Sequence, residues 1–64
     1  AKITLPTLIL WGEKDKTTPL ADAYFLKKSL NRATLIVFPN EDHLLPYHQP
    51  KNLAKKIDHW FLSL

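Results

Sequence analysis

Leu8-Ile9-Leu10-Trp11-Gly12-Glu13-Lys14-Asp15 decides the fold. The stretch opens as an apolar run just after Pro6, stops at the only glycine of the chain, and carries an acid just beyond the stop. A short apolar run without alternation is the pattern of a strand buried on both faces, as in parallel sheets. The expected strand covers Thr7–Trp11, and Gly12–Thr18 follows as a polar loop. In open α/β sheets, ligands and chemistry gather beyond the carboxyl ends of the strands. Asp15 occupies that place.

A second run, Ala33-Thr34-Leu35-Ile36-Val37-Phe38, repeats the pattern and is closed by Pro39 and Asn40. His43 lies after it as Asp15 lies after the first. Between the two runs, Thr18-Pro19 has the form of a helix start, a threonine N-cap with proline at the first helical position. That helix is expected over residues 19–30, with Leu20, Ala23, Tyr24, Lys27 and Leu30 on one side and Asn31 as its C-cap. Glu41–Gln49 is expected to be loop, and Pro50 opens a last helix over residues 50–62. In that helix Leu53, Ala54, Ile57, Trp60, Phe61 and Leu64 form a stripe of period 3.6, with Lys51, Lys55, Lys56 and Asp58 away from it. The order strand, helix, strand, helix, with a long crossover, implies a βαβα segment of α/β class whose two strands run parallel and connect right-handedly.

Sixty-four residues permit one small domain or a piece of a larger one. A chain this short buries only about 60% of its unfolded surface, and without cysteine it has no disulfide or thiolate metal site to reinforce it. A two-stranded parallel sheet also leaves an apolar edge open, which invites pairing with further strands. The chain therefore reads as part of a larger domain, completed by the rest of that domain or by self-association. The absence of cysteine agrees with a cytoplasmic setting. No apolar run approaches the roughly 18 residues of a membrane span, and residues 1–6 hold no signal-peptide core. The formal charge is +3. The basic residues that could make a patch (Lys27, Lys28, Arg32, Lys51, Lys55, Lys56) fall at helical positions, all but Lys27 off the apolar stripes. They make solvated helix faces rather than a nucleic-acid footprint.

Neighbouring parallel strands deliver their loops to the same sheet edge, so Asp15 and His43 can meet. A carboxylate beside an imidazole accepts the Nδ1 proton, fixes the tautomer, and stabilises the imidazolium when the other nitrogen works as general base. Taken singly, Asp15 is a turn-capping acid and His43 a surface histidine. A metal cluster drawn from Asp15, Glu41, Asp42, His43 and His48 is the competing use of these side chains. No HExxH or comparable spacing supports it, and no metal ligand is assigned. Trp11, Trp60 and Phe61 are assigned to the core.

Leu5-Pro6-Thr7-Leu8-Ile9-Leu10-Trp11-Gly12-Glu13-Lys14-Asp15-Lys16-Thr17-Thr18-Pro19 resembles the seventh strand and acid loop of the α/β-hydrolase fold. Asp42-His43-Leu44-Leu45-Pro46 resembles its histidine loop, and Gln49-Pro50 the start of its final helix. The resemblance covers nearly all 64 residues and implies a single partial domain, the C-terminal part of such a hydrolase. Under it, Asp15 and His43 are the acid and the base of a Ser (or Asp)-His-Asp triad that hydrolyses an ester, acyl or related bond of a small-molecule substrate, without a cofactor. Two positions depart from the family pattern. Asp42 replaces the glycine that commonly precedes the histidine, and His48 stands where an acid often occurs. The nucleophile motif G-x-S-x-G needs two glycines and is absent, since the chain has only Gly12; Ser29 lies in the first helix and Ser63 at the C-terminus, so neither is an elbow serine. The alternative to a hydrolase segment is a non-catalytic, self-associating module that kept this part of the fold.

Overall fold

A computed structural model describes residues 4–64. The elements are β1 (Thr7–Gly12), α1 (Leu20–Ser29), β2 (Ala33–Phe38), α2 (Leu45–His48) and α3 (Pro50–Leu62). The strands pair in parallel, in register from Thr7 opposite Ala33 to Gly12 opposite Phe38. The βαβα order and the parallel pair agree with the sequence reading. Its lead-in over residues 1–6 lies partly outside the described residues.

Three local expectations change. Thr18 does not cap α1: the N-cap is Pro19, with no side-chain cap bond, because the Thr18 hydroxyl donates to Asp15 instead. The C-cap is Leu30 in an extended conformation rather than Asn31, so the chain swings straight toward β2. Within the expected loop, Leu45–His48 closes one helical turn with Pro46 in its first positions. Leu45 is the reason, since the turn carries its side chain into the interior.

The interior is small: Ile9 of β1, Phe38 of β2, Ala23 of α1 and Leu45 are its buried apolar residues among those described. α1 packs on both strands, and α3 on α2. Trp60 and Phe61 are not core. No residue of α3 is buried, Trp60 is half-buried, and Phe61 is 66% exposed. Trp11 is likewise half-buried. The reason is width. Two strands lie about 5 Å apart, whereas a helix with its side chains is about 10 Å across. So narrow a sheet cannot cover the apolar stripe of a 13-residue helix. The Cα radius of gyration is 12.0 Å, above the roughly 11 Å of a compact globule of this length. Phe25 on α1 and Leu62 on α3 remain 71% and 83% exposed.

Candidate functional site

Both strands end at one edge, and hydrogen bonds between the following loops bring them together. Glu13 N–H donates to the Phe38 carbonyl at 3.0 Å and Lys14 N–H to the Glu41 carbonyl at 2.8 Å. Asn40 N–H donates to Glu13 Oε1 at 3.1 Å. The turn out of β2 uses Asn40 in the left-handed region, φ 62°, which asparagine tolerates better than most residues. Gly12 is required by contact. A Cβ there would stand 2.5 Å from the Asp42 carbonyl oxygen and 2.6 Å from that of Glu41. The glycine that ends β1 thus lets the histidine loop lie against the acid loop. Asp42, in the place of the family's glycine, has no left-handed backbone. Its carboxylate accepts the Leu44 N–H at 2.8 Å, a local turn of the kind aspartate favours.

His43 Nδ1 lies 2.9 Å from Asp15 Oδ2. The two residues that the sequence reading singled out are therefore in contact across 28 positions. The rest of the Asp15 carboxylate is occupied by its own loop. Oδ1 accepts Thr17 N–H at 2.9 Å and Thr18 N–H at 2.8 Å, and Oδ2 also accepts the Thr18 hydroxyl at 2.8 Å. Trp11 Nε1–H donates to the Thr18 carbonyl at 2.8 Å and ties the far side of the loop to β1. The Asp15 side chain is 7% exposed. Partial burial opposes its ionisation. The Thr18 N–H, the His43 ring, the Thr18 hydroxyl and the charge of His43 outweigh that burial and lower the carboxyl from 3.8 to about 2. An ionised carboxylate only accepts hydrogen bonds, so His43 is the donor of this contact through Nδ1–H, and Nε2 takes no part in it. His43 is 58% exposed. It borders a cleft of about 460 Å³ with Thr18, Leu45, Pro46 and Leu53 on one side, and one of about 510 Å³ with Lys14, Lys16 and Asn40 on the other.

The other candidate ligands fall elsewhere. His48 Nδ1 lies 2.8 Å from Glu41 Oε1, and Glu41 Oε2 accepts the Gln49 side-chain amide. The Gln49 amide first, then the His48 ring, lower the Glu41 carboxyl below its ordinary range. Glu41, Asp42 and His48 can offer ligand atoms within 4.8 Å of one another. Glu41 is already bonded on both oxygens, and Asp15 and His43 are not in this group. Sequence reasoning missed Thr18 and the Trp11 indole. An acid followed at the second and third positions by threonines is a signal for a carboxylate-capped turn, and a strand-end tryptophan needs an acceptor for its N–H.

No family model matches the chain, and no solved structure matches it. Among curated proteins, monoacylglycerol lipase ABHD6 of Mus musculus is 32% identical over 63 residues, which is 98% of this chain and 19% of that protein. The AB hydrolase superfamily protein YisY of Bacillus subtilis (strain 168) is 35% identical over 57 residues, 89% of this chain and 21% of that protein. The chain spans about a fifth of the length of these relatives. Similarity along nearly the whole chain, over a parallel βαβα segment, supports an α/β-hydrolase fragment.

Proposed function

We propose that the chain supplies the acid, Asp15, and the base, His43, of a hydrolase triad whose nucleophile lies outside these 64 residues. The observation that carries this reading is the 2.9 Å contact between His43 Nδ1 and an Asp15 carboxylate held on both oxygens by its own loop. With Nδ1–H committed to Asp15, His43 takes the proton of the attacking serine hydroxyl at Nε2, or of water where the nucleophile is an aspartate. Asp15 stabilises the imidazolium that forms, and His43 returns the proton to the leaving group. The bond cleaved is an ester, acyl or related bond of a small-molecule substrate, in keeping with relatives named as a lipase and a hydrolase. The chemistry calls on no cofactor.

The remainder of the hydrolase domain is the partner that covers the open sheet and the exposed Phe25, Phe61 and Leu62. The same exposed faces favour a second reading, a self-associating module without catalysis. Upstream sequence and turnover separate them. A G-x-S-x-G or G-x-D-x-G stretch in the same reading frame, with ester turnover lost in His43→Ala, supports the hydrolase. A reading frame that opens just before Ala1, and a chain that sediments as an oligomer without turnover, supports the module. Alone, the chain is expected to be silent on activated esters and to associate. A sharp, concentration-independent melting transition of a monomer would overturn that expectation.

A further inference from the structure

Thr18 makes three contacts that meet at the Asp15–His43 pair. Its N–H reaches Asp15 Oδ1 at 2.8 Å and its hydroxyl reaches Asp15 Oδ2 at 2.8 Å. That hydroxyl oxygen is 3.5 Å from His43 Nδ1. The Thr18 carbonyl is held in turn by the Trp11 indole at 2.8 Å. The residue is half-buried and borders the same cleft as His43. The hydroxyl therefore donates to the very oxygen that receives the imidazole proton. A helix cap would explain a threonine before Pro19, but α1 has no side-chain cap bond.

We propose that Thr18 is a positioning residue of the dyad, whose hydroxyl fixes Asp15 Oδ2 in line with His43 Nδ1. Its backbone N–H and that of Thr17 hold Oδ1, so the oxygen that faces His43 has no backbone donor of this turn. The hydroxyl is the donor of the turn on Oδ2, where it takes up a lone pair beside the imidazole. It also favours the carboxylate over the acid, so the proton between Asp15 and His43 stays on nitrogen. The side-chain hydroxyl alone does this, so serine can replace it and valine, of the same shape, cannot.

The inference rests on the hydrolase reading, and its test separates the two. In the full-length protein carrying this chain, Thr18→Val is expected to lower kcat about tenfold, the scale of one hydrogen bond to a charged group. KM should change little, since the hydroxyl's proton is committed to Asp15 Oδ2, and Thr18→Ser should restore kcat. Two NMR signals report the same change without turnover. The Asp15 carboxyl carbon should titrate at higher pH in Thr18→Val than in the wild type, and the His43 ring nitrogens should show a less uniform tautomer. Melting temperatures of both variants show whether the fold is kept. If turnover depends on His43 but Thr18→Val leaves kcat and both NMR signals unchanged, the positioning role is overturned. If Thr18→Ser fails to restore what Thr18→Val loses while both variants melt as the wild type, shape and not the hydroxyl matters, and the role is equally overturned. If turnover is indifferent to His43 and Asp15, the hydrolase reading fails, whereas unaltered NMR signals in Thr18→Val would sink the positioning role alone.

Discussion

Two carboxylate–imidazole pairs stand side by side in this chain, Asp15–His43 at 2.9 Å and Glu41–His48 at 2.8 Å. Distance does not tell them apart. What differs is what each joins and what surrounds the acid. Asp15 and His43 are 28 positions apart and come from the ends of two different strands, whereas Glu41 and His48 are 7 apart within one connection. The remaining valences of Asp15 are filled by rigid donors of its own turn. Those of Glu41 go to Gln49, the residue before α3, so Glu41 brackets the histidine loop to the final helix. His43 borders two clefts, and neither is lined by His48. Under the proposed triad, the pair that joins distant segments and opens on a cleft carries the chemistry, and the pair that closes its own segment holds the shape of the loop.

The largest expected effect tests that division directly. In the complete protein, Asp15→Asn should reduce turnover by about 10⁴, the scale set by the same change in a serine-protease triad. An asparagine still contacts the ring, but it can hold the wrong tautomer and lacks the charge that stabilises imidazolium. Glu41→Gln should leave most of the turnover and act on melting temperature. Near-normal turnover in Asp15→Asn, or a collapse in Glu41→Gln without unfolding, breaks the comparison by moving the chemistry to the wrong pair.

Gly12→Ala comes next. Its Cβ would meet two carbonyl oxygens at 2.5 and 2.6 Å. Both belong to backbone, so the histidine loop must move away from the acid loop. Overpacking of this kind costs about 1–3 kcal/mol, and the displacement also stretches the Asp15–His43 contact while leaving Glu41–His48 intact. A lowered melting temperature with a disproportionate loss of kcat is the expected result. Unchanged stability would mean that the loops do not approach as closely as the structure has them.

The two strands, the two main helices and the parallel order are legible in the sequence because each rests on a local pattern. The apolar runs have no alternation, Pro50 starts a helix, and the last helix has a regular period. The Asp15–His43 contact is legible through topology, since parallel neighbours deliver their loops to one edge. Thr18 is misread for a physical reason: threonine before proline is an N-cap signal, yet a carboxylate three residues earlier competes for the same hydroxyl and wins. The α2 turn is missed because four residues carry no period, and only the burial of Leu45 makes it. Trp60 is misjudged because a helical stripe reports which side is apolar and not whether anything covers it. Two strands are too few to do so.

Acid sharpens the comparison further. Asp15 is ionised down to about 2 in the fold, against an ordinary value of 3.8. Between those values the unfolded chain binds a proton that the folded chain does not, so stability falls as pH falls through that window. Above it the contribution is fully present. Glu41 is shifted in the same direction and adds to the loss. Denaturant unfolding followed across the window should show a decline that is shallower in Asp15→Asn and also shallower in Glu41→Gln. An equal decline in wild type and both variants would mean that other carboxylates govern the acid transition.

The smallest effect is expected at His48, and it is the one that most narrowly decides what the second pair does. His48 is 47% exposed, so its contact with Glu41 is open to water and screened by salt. Its ring still aligns the carboxylate that takes the Gln49 amide. His48→Gln retains a side-chain N–H that can reach Glu41 and removes only the possibility of positive charge. His48→Ala removes the contact altogether. If the pair is a bracket, the melting temperature is ordered wild type, His48→Gln, His48→Ala, with small steps that shrink in high salt, and turnover changes by less than about twofold, far below the effect of removing a group that acts in the transition state. If the pair instead relays charge toward His43, both variants lose turnover together, the pH profile shifts, and stability is unaffected. That second pattern would overturn the division between the two pairs, since a histidine that borders neither cleft would then be needed for the chemistry at the one that borders both.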